Sequence, residues 1–157
     1  MAELFSSDQE ILLTRRFKAS RELVFRVWTE PKHLQKWMCP KDFTVIETEV
    51  DLRVGGKWRT GMRSPDGFEY FMKGIYQEID PPEKLVFTHS WEDNTQPGHI
   101  PGHDTLITIT LDEMDGGTVM AFHVTGLTTI EGRDGQRGGW SQAFDNFEAT
   151  LEELTQP

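Results

Sequence analysis

The period of the apolar residues changes once along this chain, and that change bounds the folds open to it. From Phe43 to Thr125 the residues alternate or form short apolar runs, broken by turn signals at SPDG (64–67), DPPE (80–83) and DGG (115–117). This pattern predicts about six antiparallel strands in succession. After Gly138-Gly139, Trp140, Phe144, Phe147, Leu151 and Leu154 step by four, three, four and three, which predicts one long amphipathic helix over residues 138–154. Upstream, ILLTRRF (11–17) has the branched and aromatic content of a strand. Ser20 is a helix N-cap ahead of RELVFRVWT, and Pro31 opens a second short helix that carries Leu34, Trp37 and Met38 and closes at Pro40. The order is strand, two short helices, six strands, long helix. A sheet of about seven strands must cover its apolar face, and only the last helix is long enough to do so. The expected architecture is α+β, a curved antiparallel sheet wrapped around the C-terminal helix.

Length and charge narrow the function. The 157 residues suit one domain spanning 1–157, and no internal repeat or linker divides them. A formal charge of -10 argues against nucleic acid and against anionic membrane surfaces, because both repel such a protein. The start, MAELFSSDQE, has neither a basic segment nor an apolar run, and no apolar stretch approaches the about 20 residues of a membrane span. A single cysteine, Cys39, excludes an internal disulfide. Together these features point to a cytoplasmic protein.

DLRVGGKWRTGMR (51–63) places two glycines before basic residues, as a phosphate-binding loop does. Such a loop leads into a helix, whose N-terminal amides face the phosphate. Here the glycines lead into a strand in which Trp58, Thr60 and Met62 alternate with Lys57, Arg59, Gly61 and Arg63. The basic residues are therefore expected on its solvated side, and Gly55-Gly56 as a bend that lets the sheet curl.

The same parity places Leu85, Phe87, His89 and Trp91 on one face, Thr105, Ile107, Ile109 and Leu111 on one face, and Thr118, Met120, Phe122 and Val124 on one face. Tyr70, Met72, Gly74 and Tyr76 form the inner set of EYFMKGIYQEI, since the other face holds Lys73 and Gln77. The interior is thus rich in aromatics and methionine, adaptable material where a surface must suit irregular guests. The candidate ligand-facing residues are Trp58, Met62, Met72, Tyr76, Phe87, His89, Trp91, Ile107, Met120, Phe122, Trp140 and Phe144. Each also reads as ordinary core.

His89 stands out, because its inward parity would let it orient a ligand or, with Tyr76, move a proton, and equally lets it serve as a hydrogen-bonded core histidine. His99 and His103 have a spacing that suits zinc only on a helix, which Pro101-Gly102 prevents, so no metal and no cofactor are expected. His123 has outer parity. Cys39, between Met38 and Pro40, is either reactive at an open helix end or a small apolar filler. There is no nucleophile elbow, carboxylate pair or Ser/His/Asp order.

VFRVWTEPKHLQKWMCP, VGGKW, GIYQEIDPPEKLVFTHSW, GGTVMAFHVTGL and GGWSQAFDNFEATLEEL, taken jointly, closely resemble one family across nearly the whole chain. It is the activator-of-heat-shock-ATPase-like (AHSA-type) domain family of the START-like, or SRPBCC, superfamily, whose fold is the helix grip. The resemblance implies a cavity between sheet and long helix that takes a hydrophobic or amphipathic small molecule. Relatives include polyketide cyclases and lipid carriers, so a cyclase- or hydrolase-type enzyme is the alternative it implies. The eukaryotic namesake assists a heat-shock chaperone, so a co-chaperone-like protein-binding domain is a second alternative that the resemblance implies; the namesake has an additional N-terminal domain without counterpart in this sequence, and a chaperone partner is not expected. A homodimer is compatible with the sequence. Family members often carry histidine at the position of Val124; here the histidine is the preceding His123, and a cavity role does not carry over to it.

Overall fold

Each strand lies beside its neighbour in sequence except the first, and that exception closes the architecture. The computed structural model describes residues 9–92 and 103–156. In chain order the elements are β1 (Glu10–Phe17), α1 (Arg21–Thr29), α2 (Pro31–Trp37), β2 (Thr44–Val50), β3 (Lys57–Arg63), β4 (Glu69–Asp80), β5 (Lys84–Trp91), β6 (Thr105–Met114), β7 (Gly117–Thr125) and α3 (Ile130–Thr155). The sheet runs β1-β7-β6-β5-β4-β3-β2, with every pair antiparallel. Strands β2 to β7 are a meander, and α1 and α2 carry the chain from the β1 edge to the β2 edge. This is the predicted α+β helix-grip arrangement.

The helices start where side chains can satisfy their free amides. Ser20 accepts from the Leu23 amide at 3.2 Å, and Thr129 accepts from the Gly132 amide at 2.9 Å. Helix α2 begins with Pro31, whose missing N–H costs nothing there. Helix α3 begins at Ile130, eight residues before the predicted start at Gly138. The reason for the difference is chemical. The segment IEGRDGQRGG carries four glycines and no apolar stripe, so it has no period to read, and glycine opposes helix by about 1 kcal/mol per residue. The Thr129 cap and the continuation into the packed half of α3 hold it helical. Leu154, the last member of the predicted stripe, is 38% exposed in the final turn.

The packed half of α3 fills the concave face of the sheet. Phe147 stacks on Phe17 with centroids 5.0 Å apart and meets Trp37 edge-on at 4.7 Å. Phe144 meets Phe122 edge-on at 4.9 Å. Arg15 on β1 fastens the helix from outside, donating to the Ser141 carbonyl at 2.9 Å and pairing with Asp145 at 3.0 Å.

Strand β3 buries Trp58, Thr60 and Met62 as its parity requires. Its opposite face is more structured than a solvated row of basic residues. Arg59 pairs with Glu47 and, at 2.6 Å, with Glu92, and its guanidinium lies 4.2 Å from the centroid of the Phe71 ring. Gly55 has φ +85°, a conformation glycine adopts without strain, and makes the bend between β2 and β3. Gly74 sits opposite Trp58 because a Cβ there would lie 1.7 Å from the Thr88 carbonyl oxygen, which accepts a hydrogen bond from the Trp58 indole at 3.1 Å.

Candidate functional site: a cavity between the sheet and the glycine half of α3

Helix α3 has two halves with different side chains, and the space beneath them differs accordingly. Under Trp140, Phe144 and Phe147 the sheet is covered by aromatic rings. Under Gly132, Gly135 and Gly139 the helix presents backbone, and a cavity of about 350 Å³ remains. An added Cβ would meet nothing within 4 Å at Gly135, and only Pro40 Cγ, at 3.8 Å, at Gly139.

Three groups of residues complete the lining. The sheet contributes Met62, Tyr70, Met72, His89, Ser90, Trp91 and Thr105; the segment after α2 contributes Met38, Cys39, Pro40 and Phe43. Leu127 and Thr128 precede α3, whose Glu131, Gln136, Trp140 and Ala143 join its three glycines, and His103 lies between β5 and β6. The segment that supplies Cys39 and Pro40 to the wall is tied to α3, since Asn146 donates to the Cys39 carbonyl at 3.0 Å and Gln142 accepts from the amide of the following Lys41 at 3.0 Å. The lining ranges from deeply buried His89 to exposed Glu131, so one end of the cavity reaches the surface.

His89 forms the inner end. It is 1% exposed, with Nε2 3.3 Å from Met72 Sδ, and its backbone carbonyl accepts the Thr105 hydroxyl at 3.2 Å. Trp91 and Trp140 meet its imidazole edge-on with centroids at 5.5 and 5.9 Å, and Trp58 lies at 6.1 Å. Cys39 is buried, its thiol 3.4 Å from the Phe43 carbonyl, and burial pushes its pKa up to about 11. The thiol is therefore protonated at neutral pH and a poor nucleophile. At the outer end, His103 Nε2 contacts the Gly126 carbonyl at 2.6 Å.

Of the residues predicted to face a ligand, Met62, Met72, His89, Trp91 and Trp140 line this cavity. Trp58, Tyr76 and Phe87 instead surround, with Trp28, Leu34 and Met38, a void of about 10 Å³, too small for a ligand. Ile107, Met120, Phe122 and Phe144 have no solvent exposure and pack in the core. Ile107, Met120 and Phe122 share the inner face of the sheet, but aromatic rings of α1 and α3, Phe144 among them, cover that face: Trp28 donates its indole N–H to Met120 Sδ at 3.2 Å and stacks with Phe122 at 6.2 Å. Tyr76, whose hydroxyl is pushed above the ordinary tyrosine range by burial, thus lies outside the cavity that His89 lines. The cavity also uses residues that parity did not single out as ligand-facing, among them Phe43, Leu127, Glu131, Gln136 and the α3 glycines. Glycines at 132, 135 and 139 share one helix face, a legible spacing once the helix is known to begin at Ile130.

His123 is on the outer face and pairs with Glu10 at 2.6 Å. Among the described residues no group of three or more His, Cys, Asp or Glu side chains could hold a metal ion, and His99 lies outside those residues. Among them, too, no helix is long and apolar enough to cross a membrane.

Sheet order, helix placement and cavity define a helix-grip domain of the START-like, or SRPBCC, superfamily. Within it, the chain belongs to the family of Activator of Hsp90 ATPase homolog 1-like proteins, whose model matches residues 18–152. It is similar to protein CV1439 from Chromobacterium violaceum, with 28% identity, a TM-score of 0.82, and coverage of 92% of this chain and 97% of that one. Protein NE0264 from Nitrosomonas europaea has 24% identity and a TM-score of 0.80, covering 96% of this chain and 98% of its own. The AHSA1 protein SPO3351 from Silicibacter pomeroyi has 22% identity and a TM-score of 0.80, covering 92% and 99%. At these identities the last two speak to the fold alone. No protein of curated function matches the chain.

Proposed function

We propose that this protein binds a hydrophobic or amphipathic small molecule in the cavity between the sheet and the glycine half of α3. The observation that carries this reading is the gap itself. A helix that packs aromatics against the sheet along one half leaves about 350 Å³ beside its other half, within the size range of small-molecule sites. Its walls carry methionine, aromatic and aliphatic side chains, with His89, Ser90 and Thr105 as polar points on the sheet and His103, Thr128, Glu131 and Gln136 as polar groups elsewhere in the lining. That composition suits an apolar body held in register by one or two hydrogen bonds. Binding without turnover is favoured because Tyr76 is in a different void and the Cys39 thiol is held protonated.

Native mass spectrometry of the protein purified from its own host tests the reading, with a co-purifying small molecule as the expected result. Ligand-free protein can then be titrated with fatty alcohols, flavonoids and polyketides. Trp91 and Trp140 line the cavity, and indole emission responds to local polarity and packing, so binding changes the fluorescence. Ligand-free protein from the host together with flat titrations across the panel would overturn it.

A further inference from the structure

The lining has an uneven charge inventory. Among the described residues, Glu131 is its one carboxylate, and neither lysine nor arginine lines the cavity. Lys41, Arg133 and Arg137 lie close in sequence to lining residues, yet none is part of the wall, and Arg133 pairs with Asp134 at 2.9 Å. Two histidines line the cavity: His89 is enclosed by three indoles, and His103 contacts the Gly126 carbonyl.

An anion taken from water into such a space loses its hydration and needs a cation or converging donors in return. A donor array near the mouth is the N-terminus of α3. It is already compensated, because Thr129 caps the Gly132 amide and Glu131 places a carboxylate in the first turn. The formal charge of -10 adds a repulsive field around the whole molecule. A cation meets the opposite conditions, with the Glu131 carboxylate at the exposed end and the aromatic side chains of Phe43, Tyr70, Trp91 and Trp140, electron-rich partners for a cation, along the walls.

We infer that the cavity selects its ligand by head-group charge, taking amphiphiles with an uncharged or cationic head and discriminating against carboxylates, sulfates and phosphates, with Glu131 as the specificity-determining residue. This inference rests on the small-molecule reading above and narrows it.

The test uses matched heads on two apolar bodies: decanol, decylamine and decanoate, and 2-naphthylmethanol, 2-naphthylmethylamine and 2-naphthoate, titrated calorimetrically at pH 8 and low salt. In each series the carboxylate is expected to bind at least about tenfold more weakly than the alcohol, and the amine at least as tightly. Glu131→Gln should lower the amine-to-alcohol affinity ratio about two- to fivefold, the range of an exposed ion pair. Glu131→Lys should raise the carboxylate-to-alcohol ratio, and added salt should shrink all of these differences. A carboxylate that binds the wild type as tightly as its alcohol overturns the charge selection while leaving the small-molecule reading in place. An amine-to-alcohol ratio unchanged in both variants overturns the role of Glu131. Failure of all six compounds to bind ligand-free protein counts against the cavity as a ligand site, and the selection falls with it.

Discussion

The indole of Trp140 meets the imidazole of His89 edge-on, ring centroids 5.9 Å apart, at the place where the packed half of α3 gives way to the glycine half. This contact joins helix to sheet and forms the buried end of the cavity. If His89 serves as a polar point for a bound ligand, His89→Gln preserves a hydrogen-bonding group near that end. Affinity for any ligand that the wild type binds should then fall by at most about 1 to 2 kcal/mol. A general acid or base would behave differently, since its loss reduces turnover about 100-fold or more with binding largely kept. Parallel measurement of affinity and ligand conversion in wild type and variant separates the two; unchanged ligand recovered from the wild type supports binding alone.

The glycines of α3 predict a separation between stability and binding. At Gly138, an added Cβ meets nothing within 4 Å, and the residue is not in the lining. Gly138→Ala should therefore stabilise the fold by about 0.5 to 1 kcal/mol through helix propensity. Gly139 does line the cavity, and beyond its Cβ position the nearest atom is Pro40 Cγ at 3.8 Å. Gly139→Leu should occupy the space and weaken ligand binding at least about tenfold, while the far-ultraviolet spectrum stays that of the wild type. A Leu variant that binds normally would remove the glycine half of α3 from the site.

The period-2 pattern made the seven strands and their inward residues legible, because side-chain direction in a strand follows directly from parity. Met62, Met72, His89 and Trp91 were within reach of that argument, and Trp140 of the helical period of α3. Ile107, Met120 and Phe122 have the same inward direction but belong to the core, as does Phe144 on α3. Parity tells which face a residue occupies and is silent on what covers it, and the covering here depends on where the rings of Trp28 and α3 land. The glycine half of α3 was hidden for a different reason. Residues without side chains produce no hydrophobic period, and the same absence of side chains leaves the cavity open. Glu131 was obscured with it, since a carboxylate in a polar, glycine-rich stretch reads as solvated loop until the Thr129 cap fixes the helix start.

Cys39 gives a chemical probe of the cavity. Burial raises its thiol to about 11, so only about one thiol in a thousand is ionised at pH 8, and the thiolate is the species that alkylates. Because the shift is upward, reactivity at neutral pH falls below that of an ordinary cysteine. Alkylation of the folded protein by iodoacetamide should be slow at pH 8 and rise roughly tenfold per pH unit toward 11. A cavity ligand should slow it further, since Cys39 is part of the wall. Intact-mass time courses at several pH values, with and without ligand, check both statements. Modification at the rate of a free thiol at pH 8 would show that the wall around Cys39 is open.

His33 supplies a prediction about acid stability that is independent of the cavity. It is 5% exposed on α2, with Nε2 3.3 Å from Glu30 Oε1. Burial lowers its pKa below the ordinary 6.5; Glu30 opposes the shift, and Lys32, Arg26 and Lys36 reinforce it. In the unfolded chain the imidazole takes up its proton near 6.5, whereas the folded protein takes it up only at lower pH. Between those two values the unfolded state binds more protons, so unfolding free energy rises with pH. The contribution is fully present above about 6.5 and is lost as pH falls through the lower, folded value. Urea unfolding at intervals from pH 8 to pH 5 should show wild-type stability declining below about 6.5. In His33→Gln, which has no titrating ring, the decline should be shallower over the same interval, whatever the change in absolute stability. A variant whose stability falls as steeply as that of the wild type would assign the acid limb to other groups.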